Sequence, residues 1–216
     1  MSDSPEREPL ADEGSRPNNP SSRDYPDDLE SDIVTATGAR LHMRPIRPDD
    51  AKRLINFHSH LSPDSVYRRY FSVHPELSAN EVRHLTEVDY VDRLALIVED
   101  EGKLIGVGRY DRIPGTSDAE VAFIVTDQYQ HQGIGTMLLR QLAKAAWPTG
   151  IATFSAETQA DNRFMMGVFA DSGFPVSATM DEEVMSVRFP IAPVEGDQSE
   201  RGGRTDDRSQ GREDRV

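Results

Sequence analysis

The chain has 216 residues, with 24 Lys and Arg against 38 Asp and Glu, a net charge of −14 and a hydrophobic share of 36%. It has no cysteine, which excludes disulfides, thiolate metal sites and cysteine nucleophiles. The acidic balance argues against nucleic acid as a partner, no apolar run approaches the roughly 20 residues that cross a bilayer, and the opening MSDSPEREPL lacks a basic and apolar signal segment, so a cytoplasmic protein without a membrane partner is expected.

Residues 1–32 carry ten acidic and three basic side chains, with Met1, Leu10, Ala11, Tyr25 and Leu29 as their few apolar residues. Such a segment offers little to offset the entropy of ordering and is predicted to be a disordered acidic tail. Residues 195–216, with seven acidic and five basic side chains, read the same way. The folded domain is expected over residues 33–194, long enough to bury a single core.

Within it, Arg40 to Ile46 alternates as a strand. Pro48-Asp49-Asp50 starts a helix with Ala51, Leu54, Ile55 and His58 on one face, and Ser62-Pro63 opens a short second one. His58 and His60, two apart, point to different faces and make a poor metal pair. Ser78 and Glu81 have the spacing of a capping box ahead of a third helix. Leu94–Val98 and Leu104–Tyr110 form a predicted hairpin around Asp100–Lys103, and Ala119–Val125 is the next strand. The helix bearing Ile134, Leu138, Leu142 and Ala145 ends at Pro148 and Gly150. A strand over Ile151–Ala156, a helix capped by Asp161 or Asn162 and ended by Gly173, and a strand over Glu183–Phe189 complete the order. The expected fold class is α/β (α+β), a mixed sheet with flanking helices.

Between the Ala119–Val125 strand and the next helix lies Gln130-His131-Gln132-Gly133-Ile134-Gly135. A helix start presents unpaired N–H groups with partial positive charge, and glycines admit a phosphate close to the backbone. This placement can cradle a pyrophosphate; a tight strand-to-helix turn is the plainer alternative. No GxxxxGK[ST] and no full GxGxxG occurs, so P-loop and dinucleotide folds are not expected.

The loop pattern Gln130-x-x-Gly133-x-Gly135, its place in the element order, and Asn162 ahead of a helix ending in Gly173-Phe174 resemble the GNAT N-acetyltransferase superfamily. Leu41–Asp50, Leu61–Phe71, Val88–Tyr90, Gly106–Tyr110, Ala119–Ala122 and Asn162–Met165 resemble its bacterial protein-lysine acetyltransferase branch. The resemblance implies the GNAT fold with a mostly antiparallel sheet, acetyl-CoA as co-substrate and no metal. It implies cofactor contacts at Phe123, Ile124, Val125, Gln130, His131, Gln132, Gly133, Ile134, Gly135, Thr136 and Asn162. His131 either touches a phosphate or is a solvated loop residue.

Glu120 is the one charge inside AEVAFIV. Alternation puts it on a face with Ala122 and Ile124, opposite Val121, Phe123 and Val125. A carboxylate in so apolar a strand is expected to be partly desolvated, with its pKa raised toward that of a usable base. Its alternative is an ion pair with Arg109 or Arg112. The resemblance places the family's general base at Glu120, and puts Phe169 where many members have a proton-donating Tyr. The expected function is acetylation of protein lysines. A small amine as acceptor, or a non-catalytic CoA-binding sensor, are the other readings.

Overall fold

The computed structural model describes residues 24–71 and 76–192. Eight strands form one sheet in the order β1-β2-β3-β4-β5-β6-β8-β7. They are β1 Ser31–Val34, β2 Arg40–Pro45, β3 Arg93–Asp100, β4 Lys103–Arg112, β5 Asp118–Val125, β6 Thr153–Gln159, β7 Ser177–Asp181 and β8 Val184–Pro190. Every neighbouring pair is antiparallel except β5 and β6. The helices are α1 Ala51–Ser59, α2 Pro63–Tyr70, α3 Ala79–Thr86, α4 Ile134–Ala146 and α5 Arg163–Ala170. The mixed sheet with flanking helices is as expected, and two strands are additional.

Those two, β1 and β7, are the sheet edges. β1 is only four residues long, and β7, although Ala178 and Met180 alternate with polar residues, is exposed along its whole length. Hairpin partners supply their backbone hydrogen bonds, and of their apolar side chains Ile33 packs partly against the core.

The sheet separates two apolar clusters. On one face Leu138, Leu139 and Leu142 of α4 pack with Val121 and Phe123, and Val168 and Phe169 of α5 join them. On the other face Leu54 and Phe57 of α1 pack with Ile97 and Val107. The Ser78 capping box forms as read, with Ser78 Oγ accepting from Glu81 N–H and Glu81 accepting from Ser78 N–H.

The N-terminal boundary needs correction. The expected tail over 1–32 is packed in its last part: Leu29 is buried, and Tyr25 stacks edge-on to Tyr90 at 5.8 Å with Arg47 4.1 Å from its ring centre. Composition counts apolar residues, but here Tyr25, Pro26 and Leu29 fall within one turn and reach the core together. Residues 1–23 and 193–216, the rest of the two expected tails, lie outside the described residues.

A charge network locks β2 to the helix start. Arg44 donates to both Asp50 oxygens at 2.7 and 2.8 Å, Arg47 N–H donates to Asp50 Oδ2 at 2.8 Å, and Arg53 lies 2.9 Å from Oδ1. Glu99 joins through Arg44 at 3.0 Å and through Arg53. Burial works against the Asp50 charge, but these donors and cations outweigh it and hold the carboxyl below its usual range.

Candidate active site

β5 and β6 are the structural key. They pair only over Asp118↔Thr153, Ala119↔Phe154 and Glu120↔Ser155. Beyond the last rung the strands part, because their common hydrogen-bond ladder ends while β5 stays paired to β4 and β6 to β8. The opening is a cleft of about 640 Å³, walled by β5, β6, α2 and the start of α5.

Glu120 sits on that last rung and lines the cleft. The alternation predicted for β5 is present, with Val121, Phe123 and Val125 buried and the Glu120 face less so. The expected burial of the carboxylate is absent: Glu120 is exposed, because its face opens on the cleft where the strands separate. Nor does it pair with its strand neighbours. Arg109 forms a two-pronged bond to Asp111 at 2.8 and 2.9 Å, and Arg112 donates to Asp92 at 2.6 Å.

The glycine loop divides its labour differently from the sequence reading. Gly133 has φ +84° and is the α4 N-cap, with no side chain capping the helix. The first intrahelical bond runs from Met137 N–H to Gly133 C=O at 3.0 Å. The N–H groups of Ile134, Gly135 and Thr136 therefore lack helical acceptors, as a helix start dictates. Gly135 is buried and has an ordinary φ; a Cβ there would lie 2.6 Å from Val168 and 3.2 Å from Phe164. Its missing side chain makes room for α5, while its N–H remains available at the helix start.

The two glutamines of the loop are braces. Gln130 Nε2 donates to Val125 C=O at 3.0 Å and to Ser65 Oγ at 3.1 Å, tying the loop to β5 and α2. Gln132 donates to Gln128 C=O, accepts from Thr37 Oγ1 at 2.9 Å, and its carbonyl accepts from Ala36 N–H. Their amide nitrogens hold the loop in place, and Gln130 at the same time lines the cleft. His131 is exposed at φ 59°, the left-handed region that favours Gly, with its ring edge-on to Phe164 at 6.0 Å.

Asn162 is buried, lines the cleft, and caps α5 by accepting from Met165 N–H at 3.2 Å. Of the other expected contacts, Phe123, Ile124, Val125, Gln130 and His131 also line the cleft; Gln132, Gly133, Ile134, Gly135 and Thr136, which follow His131 in the chain, do not. The sequence reading missed the contribution of α2, whose Arg69 and Tyr70, with the following Phe71, line the cleft together with Glu120. It also missed Arg68, which crosses to Asp161 at 3.0 Å while holding Asp64 at 2.8 Å. The i,i+4 spacing of Asp64 and Arg68 is legible in the sequence, but the link to Asp161 and the place of α2 on the cleft wall are not, since they join segments remote in sequence.

Known proteins share this arrangement. The acetyltransferase (GNAT) domain family matches residues 40–175. The chain belongs to the GNAT acetyltransferase family. It is 32% identical over 166 residues to acetyltransferase Pat of Mycolicibacterium smegmatis, covering 76% of this chain and 49% of that protein. It is 28% identical over 141 residues to acetyltransferase PA5475 of Pseudomonas aeruginosa, covering 63% of this chain and 76% of that one. The solved GNAT domain of S. lividans PAT superposes with a TM-score of 0.73 at 36% identity, covering 77% of this chain and 99% of that domain. The chain thus spans about half the length of the mycobacterial relative.

The cleft of this GNAT domain fits an acyl-CoA on its own chemistry. The uncapped α4 start suits a pyrophosphate. Thr158, 1% exposed on the cleft wall, has a hydroxyl without a hydrogen-bond partner, which a polar ligand arm would satisfy. Among the described residues no cluster of His, Asp and Glu is placed to hold a metal.

Proposed function

We propose that the chain is an acetyl-CoA-dependent N-acetyltransferase whose acceptor is a protein lysine. The observation that carries this is Glu120 at the fork of β5 and β6, facing a cleft that runs toward the uncapped end of α4. Acetyl-CoA bound there would supply an activated acyl thioester. The N–H groups of Ile134, Gly135 and Thr136 would hold its pyrophosphate, and the exposed β5 edge from Phe123 to Val125 its pantetheine arm. A lysine with pKa near 10.4 arrives protonated, and attack needs the neutral amine. Glu120 takes that proton, directly or through one water. Phe169 is buried against Phe189 and supplies no proton; a thiol pKa near 8.5 makes such a donor dispensable.

A protein acceptor is supported by the likeness to the Pat proteins and by the surface beside the cleft. Tyr67 and Phe71, four apart at the end of α2, are exposed there at 48% and 37%, which suits contact with a macromolecule more than enclosure of a small amine. Incubation with labelled acetyl-CoA, a protein lysate and a panel of small amines tests the reading. Label is expected in protein. Label confined to small amines replaces the acceptor, and tight CoA binding without transfer overturns the enzyme.

A further inference from the structure

Arg69 is a charged group of the cleft that the reaction above does not use. It lies in the last turn of α2, a helix that follows the cleft from end to end. At its start Ser65 Oγ donates to Asp127 at 2.5 Å and accepts from Gln130, fixing that end to the glycine loop. One turn later, about 6 Å along the axis, Arg69 feels the charges of Arg109, Glu120 and Asp111. It shares the cleft with Glu120, one helical turn from the end that Ser65 fixes to the glycine loop.

Its neighbours are committed. Arg68 holds Asp64 and Asp161, and Arg109 holds Asp111 with both prongs. Arg69 is partly buried and lines both the cleft and a small apolar recess behind it. Among the described residues its guanidinium makes no hydrogen bond and has no carboxylate in ion-pair reach; its recorded contact is the Tyr70 ring, 5.1 Å from Cζ. Burial pulls its pKa below the usual guanidinium value, the mark of a cation held out of water. A planar fork of donors in such a place selects a carboxylate or phosphate.

We infer that Arg69 binds a carboxylate carried by the acceptor beside its amine. The inference rests on the acetyltransferase reading. On a protein the group is an Asp or Glu flanking the lysine; on a small amine it is the α-carboxylate of an amino acid. The bound carboxylate anchors the acceptor while its amine reaches Glu120.

The test compares peptides with Asp or Asn beside one lysine, and leucine with leucinamide, in the wild type, Arg69→Lys and Arg69→Met. A peptide acceptor predicts a preference for Asp of roughly 10- to 100-fold in kcat/KM. The preference should shrink in Arg69→Lys and fall toward one in Arg69→Met, with melting temperatures checked on the same samples. The same ratio appearing between leucine and leucinamide instead assigns the carboxylate to a small amine. Calorimetric binding of the ε-acetylated Asp and Asn peptides, with CoA present, needs no turnover. Selective Asp binding that depends on Arg69 without any transfer sinks the acetyltransferase reading and keeps the carboxylate site. Equal rates and equal or absent binding of each pair overturn the inference, as does a preference that survives Arg69→Met. A uniform fall in kcat with unchanged preference would make Arg69 a positioning residue for Glu120 and also overturn it.

Discussion

Arg44 and Arg69 are both withdrawn from bulk water, but Arg44 is answered by Asp50 and Glu99, while among the described residues Arg69 meets the Tyr70 ring and no carboxylate. The Arg44 network joins β2, β3 and the start of α1, and nearly every oxygen in it has a donor. Breaking such a pair leaves an uncompensated buried charge. The cleft is built the other way. Among the described residues Glu120 and Arg69 have no ion-pair partner, and Thr158 keeps an unused hydroxyl. A satisfied charge holds a fold together, whereas an unsatisfied one in a cleft is available to a ligand.

This contrast can be broken most directly at Glu120. Glu120→Gln keeps the shape but cannot accept a proton, so kcat should fall about 10²–10⁴-fold, with CoA affinity and melting temperature near wild type. Near-wild-type turnover per folded molecule would remove Glu120 from the chemistry. At the satisfied site the expectation reverses. Asp50→Asn should cost about 1–3 kcal/mol of stability by removing the two-pronged partner of Arg44 and leaving Glu99 alone to answer it, measured by urea unfolding. Because the Asp50 pKa is lowered in the folded state, its contribution is present above the unfolded value near 3.9 and is lost as pH falls through the folded one. Wild-type stability should thus decline below about pH 4 from this group, and the Asn variant should lack that part of the decline.

The loop sharpens the same contrast on a smaller scale. Gly135→Val should destabilise by about 1–3 kcal/mol through overpacking against Val168. Gly133→Ala meets open space and should cost only about 1–2 kcal/mol of backbone strain. If Gly135→Val melts like the wild type and loses only CoA affinity, Gly135 serves the ligand rather than the packing. The smallest effect is expected at His131. Glycine there relieves a left-handed φ but loosens the unfolded chain, so His131→Gly should stay within about 0.5 kcal/mol of wild type. A larger loss by thermal melting would show that the contact with Phe164 carries stability.

The strongly periodic core elements were legible because burial on one face writes a period into the residues. Ala119–Val125 and the stripe of α4 are examples, while Leu94–Val98, buried at every position, was legible as a continuous apolar run. The glycine loop was legible as well, since a positive φ and a helix start restrict residue choice locally. The edge strands were not, because their stability comes from partners' backbones. Leu29 and Tyr25 escaped because composition does not show which apolar residues meet in space.

The candidate site divides along the same line. By itself the sequence determined the GNAT element order, the position of Glu120 on a strand ahead of the loop, and a helix cap at Asp161 or Asn162, which the structure assigns to Asn162. Only the tertiary structure decided that β5 and β6 part after Glu120, that Glu120 is exposed rather than buried, and that Gly135 makes room for α5 while Gly133 turns the chain. It alone set Arg69 in one cleft with Glu120, from a helix some fifty residues earlier in the chain. Local spacing dictates periodicity and backbone conformation, but whether a charge finds a partner depends on which distant elements the packed sheet sets beside it.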